Sequence, residues 1–155
     1  LGEGEKPVFS TLVRTARPEG RRLLGVLVPA ATAQRKAGAP PFTLKVINED
    51  RFAGGDFQFL NLTPLEFGVM FDGQKLKIEK FASLRFRPQR INEARNSPVM
   101  ISFRGAPDSE WSILTRSTWR IRPTRKELCL LYWDERNRRP AFRGLTLFVE
   151  PESGS

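Results

Sequence analysis

An antiparallel β-sandwich of about nine or ten strands is the architecture this sequence predicts, on three observations. Short runs rich in Phe, Val, Ile, Leu, Trp and Thr recur along the chain, bounded by Gly, Pro, Asn and Asp. Several runs alternate apolar and polar residues at period two. No segment carries an apolar stripe of period 3.6 over three turns, so there are no helices to make the crossovers of a parallel sheet.

In order along the chain, Pro7–Val13 and Arg22–Val28 read as strands joined by the turn residues Arg17-Pro18-Glu19-Gly20, an N-terminal hairpin. Residues 29–41, with Ala30-Ala31-Thr32-Ala33 and a closing Ala39-Pro40-Pro41, read as a mobile loop holding at most one helical turn. Phe42–Ile47 opens a dense β region that continues through Phe57–Leu62, Leu65–Phe71 and Gln74–Ile78. Leu65, Phe67, Val69 and Phe71 fall on one face at period two, which predicts a half-buried strand. Asp72-Gly73 directly after it is the strongest hairpin signal in the chain, because both residues tolerate the positive φ of a type I′ turn. Leu76 and Ile78 continue the apolar face on the return strand. A strand over Phe81–Phe86 leads to Arg87-Pro88, and Gln89–Pro98 reads as a loop with a short helix at Ile91–Arg95. Val99, Ile101 and Phe103 resume the alternation. Trp111–Ile121, Lys126–Trp133 and Arg143–Val149 complete the set.

A chain of 155 residues fits one domain spanning 1–155, and a domain of that size buries roughly 70% of the surface its unfolded chain exposes. It needs no disulfide or metal to fold. Its hydrophobic share of 39% is too high for a disordered polypeptide, and no apolar run is long enough to span a bilayer. The single cysteine, Cys129, lies inside Leu128–Trp133 and is expected as a buried thiol. The first residue is Leu1, which leaves room for a signal peptide removed upstream.

The catalytic repertoire is thin. The sequence has no histidine, hence neither the commonest general base nor the usual partner of a nucleophilic Ser or Cys. One cysteine and no histidine exclude an ordinary zinc site. Phosphate loops, dinucleotide fingerprints and the Ser-x-x-Lys and Gly-x-Ser-x-Gly motifs are all missing. No cofactor and no metal are expected. Carboxylates remain, and a pair would suffice for a glycosidase. Glu49, Asp50, Asp56, Glu66, Asp108, Glu110, Asp134 and Glu135 are the candidates, but most adjoin turn residues, where acids serve as turn formers. The expectation is therefore no enzyme. Asn61-Leu62-Thr63 matches a glycosylation acceptor, and the plainer reading is a strand end and turn.

Charge is the distinctive feature. The net charge is +9, and the excess lies late in the chain: 12 basic against 9 acidic residues over 1–84, and 14 against 6 over 85–143. Arg116, Thr118, Arg120 and Arg122 share one face of a predicted strand, with Ser117, Trp119 and Ile121 on the other. Alternate side chains on a strand stand about 7 Å apart. Arg85 and Arg87 form a similar pair, and Arg104, Arg125, Arg138, Arg139 and Arg143 add to the face if the strands are neighbours. Arg85, Arg87, Arg104, Arg116, Arg120 and Arg122 are the six candidate anion-binding residues, because guanidinium binds carboxylate, phosphate or sulfate bidentately. The competing reading is a solvated face whose arginine stems cover Trp111, Trp119 or Trp133.

The stretch Phe57–Pro64, continuing through Val69–Ile78, resembles a hairpin of small exported bacterial sandwich domains of unknown function. It is more distantly similar to the accessory protein of alginate O-acetylation. The resemblance covers about 22 residues, all core and turn positions. It implies an immunoglobulin-like domain, periplasmic or secreted, that binds a protein or an anionic polysaccharide and does no chemistry. The alternative class is a sequence-nonspecific nucleic-acid binder, disfavoured because the phenylalanines follow core periodicity instead of interleaving with the basic residues.

Overall fold

The computed structural model describes residues 13–29 and 41–149. The chain forms two compact units, Leu1–Arg51 and Phe52–Ser155.

In the first unit, β1 (Leu23–Pro29) pairs antiparallel with β2 (Phe42–Asn48) along its whole length, from Leu23 opposite Asn48 to Pro29 opposite Phe42. The partner expected for β1, Pro7–Val13, lies outside the described residues apart from Val13, as does the expected mobile loop apart from its ends. A 3₁₀ turn, Glu49–Arg51, follows β2. Its Asp50 carboxylate accepts the Arg21 and Arg22 amides at 2.5 and 3.2 Å, which ties the entry of β1 to the exit of β2. Gly20 has φ +146°, and a side chain there would come within 2.7 Å of Asn48, so only glycine fits this corner.

Among the described residues the second unit is a β-sandwich of eight strands. We number them β3 (Phe57–Asn61), β4 (Glu66–Phe71), β5 (Gln74–Ile78), β6 (Ser83–Phe86), β7 (Arg95–Arg104), β8 (Ser112–Ile121), β9 (Arg125–Asp134) and β10 (Arg139–Phe148). One sheet has the order β5-β4-β7-β8, all antiparallel; the other has β10-β9-β3-β6. The second sheet departs from the expected antiparallel pattern at one place: β3 runs parallel to β9, with Phe57 opposite Glu127 and Phe59 opposite Cys129. A parallel pair needs a long connection, and here the whole of β4 to β8 supplies it.

The core lies between the sheets. Phe67, Val69, Phe71, Ile78, Val99, Ile101 and Ile121 from one meet Phe57, Phe59, Phe86, Cys129 and Leu131 from the other. Phe57 and Phe71 stand edge to face at 4.6 Å, and Trp119 stacks on Phe57 at 5.8 Å, so aromatic packing closes the centre. The alternation read for Phe67, Val69 and Phe71 places all three inside, at 1% exposure or less. Asp72 and Gly73 take φ of 54° and 75°, the expected hairpin geometry. Ile91–Arg95 is not helical: it is a turn leading into β7, held because Arg95 donates to the Gln89 and Arg90 carbonyls and pairs with Asp72 at 2.6 Å.

Asn61 is fully buried and donates to the Leu65 and Glu79 carbonyls at 2.7 and 2.8 Å. Its amide oxygen accepts the Thr63 amide and hydroxyl at 2.9 Å. Every polar atom of that side chain is thus engaged in fixing two loops, so its part is structural and a glycan has no access to it.

Candidate functional site

The arginines diverge once the strands are placed. Arg85 is exposed on β6, opposite Gln58, in one sheet, whereas Arg104, Arg116 and Arg120 belong to the other, so no common basic face forms. Two of the predicted residues are held by buried carboxylates. Arg87 pairs with Asp56 at 2.9 Å, and that carboxylate also accepts the Ala53 amide. Arg104 donates to Glu66 at 2.7 Å from the position directly opposite it across β4 and β7, and lies 4.7 Å over the Trp111 ring. Lys77 adds a second cation to Glu66 at 3.5 Å. The hydrogen bond from Arg104, ahead of its charge and that of Lys77, holds the Glu66 carboxyl below the ordinary carboxylate range against the opposing effect of burial.

The remaining arginines are different. Arg120 and Arg122, at the end of β8, converge with Arg125, at the start of β9, on a pocket of about 320 Å³. On β9 the positions in register with the core residues Leu131 and Cys129 continue as Glu127 and Arg125, so one row of alternate residues passes from apolar to charged, and both charged residues line the pocket. Phe57, Trp119 and Phe142 make an apolar floor, with Trp119 5.8 Å from both rings. Gly144 on β10, opposite Cys129, has nothing within 4 Å of where a side chain would stand, and this keeps the mouth open.

No ion pair within 4.0 Å involves Arg120, Arg122 or Arg125 among the described residues. Arg122 has its proton affinity lowered, first by Arg125 and then by Arg120, which is the mark of crowded like charges. Glu127 is the pocket's acid. Burial pushes its carboxyl up, while a hydrogen bond from the Thr146 hydroxyl at 2.9 Å and the charges of Arg125 and Arg122 pull it down less strongly. The Cys129 thiol in the floor is pushed far up by burial, which makes it a small apolar lining group.

Of the six predicted arginines, then, two meet in one site, two answer buried carboxylates, and Arg85 and Arg116 stand apart. Arg125 joins two of the six arginines, as a shared basic face requires, but its place beside Glu127 and the aromatic floor carried no signal in the sequence, because strand pairing alone brings Phe57 opposite Glu127. The carboxylate candidates of this unit are dispersed: Asp56 and Glu66 are in ion pairs, and Asp134 caps the β9–β10 turn through the Arg136 and Asn137 amides. Among the described residues no three His, Cys, Asp or Glu side chains group as metal ligands, and no helix is long and apolar enough to cross a membrane. In comparison with known proteins, no family model, curated sequence or solved structure matches the chain.

Proposed function

We propose that the protein is a non-catalytic exported module that binds an acidic polysaccharide through the pocket between β8 and β9–β10. The observation that carries this reading is the set of three guanidiniums around an aromatic floor, none in an ion pair within 4.0 Å among the described residues, with Arg125 also stacked 5.0 Å over the Phe148 ring. A ring sugar offers an apolar face and a carboxylate or sulfate at its edge; aromatic rings take the first and arginine forks the second. The volume suits one or two such units, at the small end of the roughly 300–1,000 Å³ typical of ligand pockets. Export and the absence of chemistry are supported by the resemblance of the β3–β5 stretch and by the histidine-free composition.

The test is chromatography on an immobilised sulfated polysaccharide, where the protein should be retained at low salt and released at moderate salt. Gly144→Leu fills open space in the pocket without backbone strain, and should weaken binding at least about tenfold while leaving Tm unchanged. Passage straight through at low salt, or a Gly144→Leu variant that binds like the wild type, overturns the proposal. Equal affinity for duplex DNA with a steep salt slope transfers it to the nucleic-acid class.

A further inference from the structure

The outer face of the β5-β4-β7-β8 sheet carries a second feature, independent of the pocket. Cross-strand register aligns one row of four side chains over it: Lys75 opposite Met70, Met70 opposite Met100, and Met100 opposite Arg116. The next row reads Lys77, Gly68, Ser102 and Ile113. Two small residues at its centre leave a depression of about 600 Å³ walled by Met70, Met100, Ile113 and Trp111. A β-bulge builds it. The register shifts by one residue between Ile101 and Ser102, so Leu114 packs on the core and Ile113, which strict alternation from Trp119 would put inside, is turned outward at 49% exposure. Gly68 lets the Trp111 ring lie against the sheet, since a Cβ there would come within 3.4 Å of it. Met70 and Trp111 remain 43% and 42% exposed, an apolar surface that only the Arg104 guanidinium, over the Trp111 ring, covers in part among the described residues.

Lys75 and Arg116, at the two ends of the methionine row, are exposed and form no ion pair among the described residues. Lys77 and Arg104, by contrast, are already held by Glu66 and Glu79. The free cations thus bracket the apolar row and fix the occupant's charge. Three interstrand steps of about 4.8 Å put their Cα atoms about 14 Å apart. Four residues of extended chain cover the same distance at about 3.4 Å each, and residues i, i+2 and i+4 of such a chain share a face.

We propose that this face docks an extended acidic peptide of a partner protein, with acidic residues at i and i+4 on Arg116 and Lys75 and an apolar anchor at i+2 between the methionines. Methionine walls suit such a role because they adapt to different anchors. The charge spacing distinguishes this occupant from a membrane surface, which would ask for no fixed separation.

The experiment is fluorescence anisotropy at low ionic strength with a labelled peptide Gly-Ser-Glu-Ala-Leu-Ala-Glu-Ser-Gly. Saturable binding is expected, at least about tenfold weaker for the isomer Gly-Ser-Glu-Leu-Ala-Ala-Glu-Ser-Gly, whose leucine faces the other way. Lys75→Glu and Arg116→Glu, each an exposed substitution, should each weaken it several-fold, and the double variant should prefer the Lys-for-Glu peptide. Gly144→Leu should leave the peptide affinity unchanged, which separates this site from the polysaccharide pocket. No binding, equal affinity for both isomers, binding to anionic vesicles without peptide selectivity, or a dimer dissolved by Met70→Glu would each overturn the proposal.

Discussion

Arg104 and Arg120 sit on the same sheet, on the same outward face, and do opposite things. Arg104 has Glu66 directly across the strand pair, and the two form a short charge-assisted hydrogen bond with both side chains largely out of water. Arg120 has Asn96 across from it, is in no ion pair among the described residues, and shares its pocket with Arg122 and Arg125. The cross-strand neighbour therefore decides whether an arginine holds the fold together or waits for a ligand. A carboxylate opposite makes it a strut; a neutral residue opposite and a second cation nearby make it a site that folding leaves unsatisfied.

The largest effect that would break this distinction belongs to Arg104→Ala. Glu66 would keep only Lys77 and stay buried, so Tm should fall clearly. The sign with pH follows from the lowered Glu66 carboxyl: the stabilisation is full above the ordinary carboxylate value and is lost as pH falls through the depressed one. The Tm gap between wild type and variant should therefore be widest near neutral pH and close in acid. A gap independent of pH would show that Arg104 acts through its packing on Trp111 alone.

Arg122→Ala should behave in the opposite way. Removing one of three crowded cations relieves repulsion, so Tm should stay level or rise slightly, while affinity for a sulfated polysaccharide falls about tenfold. A clear drop in Tm would make Arg122 another strut and erase the contrast with Arg104.

How far these roles were legible in the sequence depends on the range of the interaction. Local rules sufficed for the β4–β5 hairpin, where Asp72-Gly73 needs only its own dihedrals, and for the Phe67-Val69-Phe71 face, where period two needs only one strand. They also sorted Arg116 and Arg120 from Trp119 and Ile121, because that choice is parity within a strand. They failed where one residue changes parity: the bulge at Leu114 reverses Ile113, and no residue there announces it. They failed again at Ile91–Arg95, where Asp72 and loop carbonyls capture Arg95 and leave a turn in place of a helix. The pocket was out of reach for the same reason. Its floor joins Phe57 to Glu127 by a parallel pairing across some 70 residues, and register at that range is set by the assembled sheet.

The finest test of the contrast is the one acid inside the pocket. Glu127 faces Thr146 from β10, Arg125 on its own strand and Arg122 from the β8–β9 turn, and Arg120 closes the rim from β8. Because burial pushes its carboxyl up, the ionised form is the costly one: its contribution to folding is fully favourable below the ordinary carboxylate value and is lost as pH rises through the raised one. The same charge partly cancels the guanidiniums that an anion would meet. A sulfated ligand keeps its own charge over that range, so its affinity should increase a few-fold as pH falls from neutral through the titration of Glu127, roughly the effect of one charge at close range in a partly wet site. Glu127→Gln should bind tighter at neutral pH and flatten the profile. If the variant and the wild type share one pH profile, the bound anion lies away from Glu127 and the arginines that surround it are not its contacts.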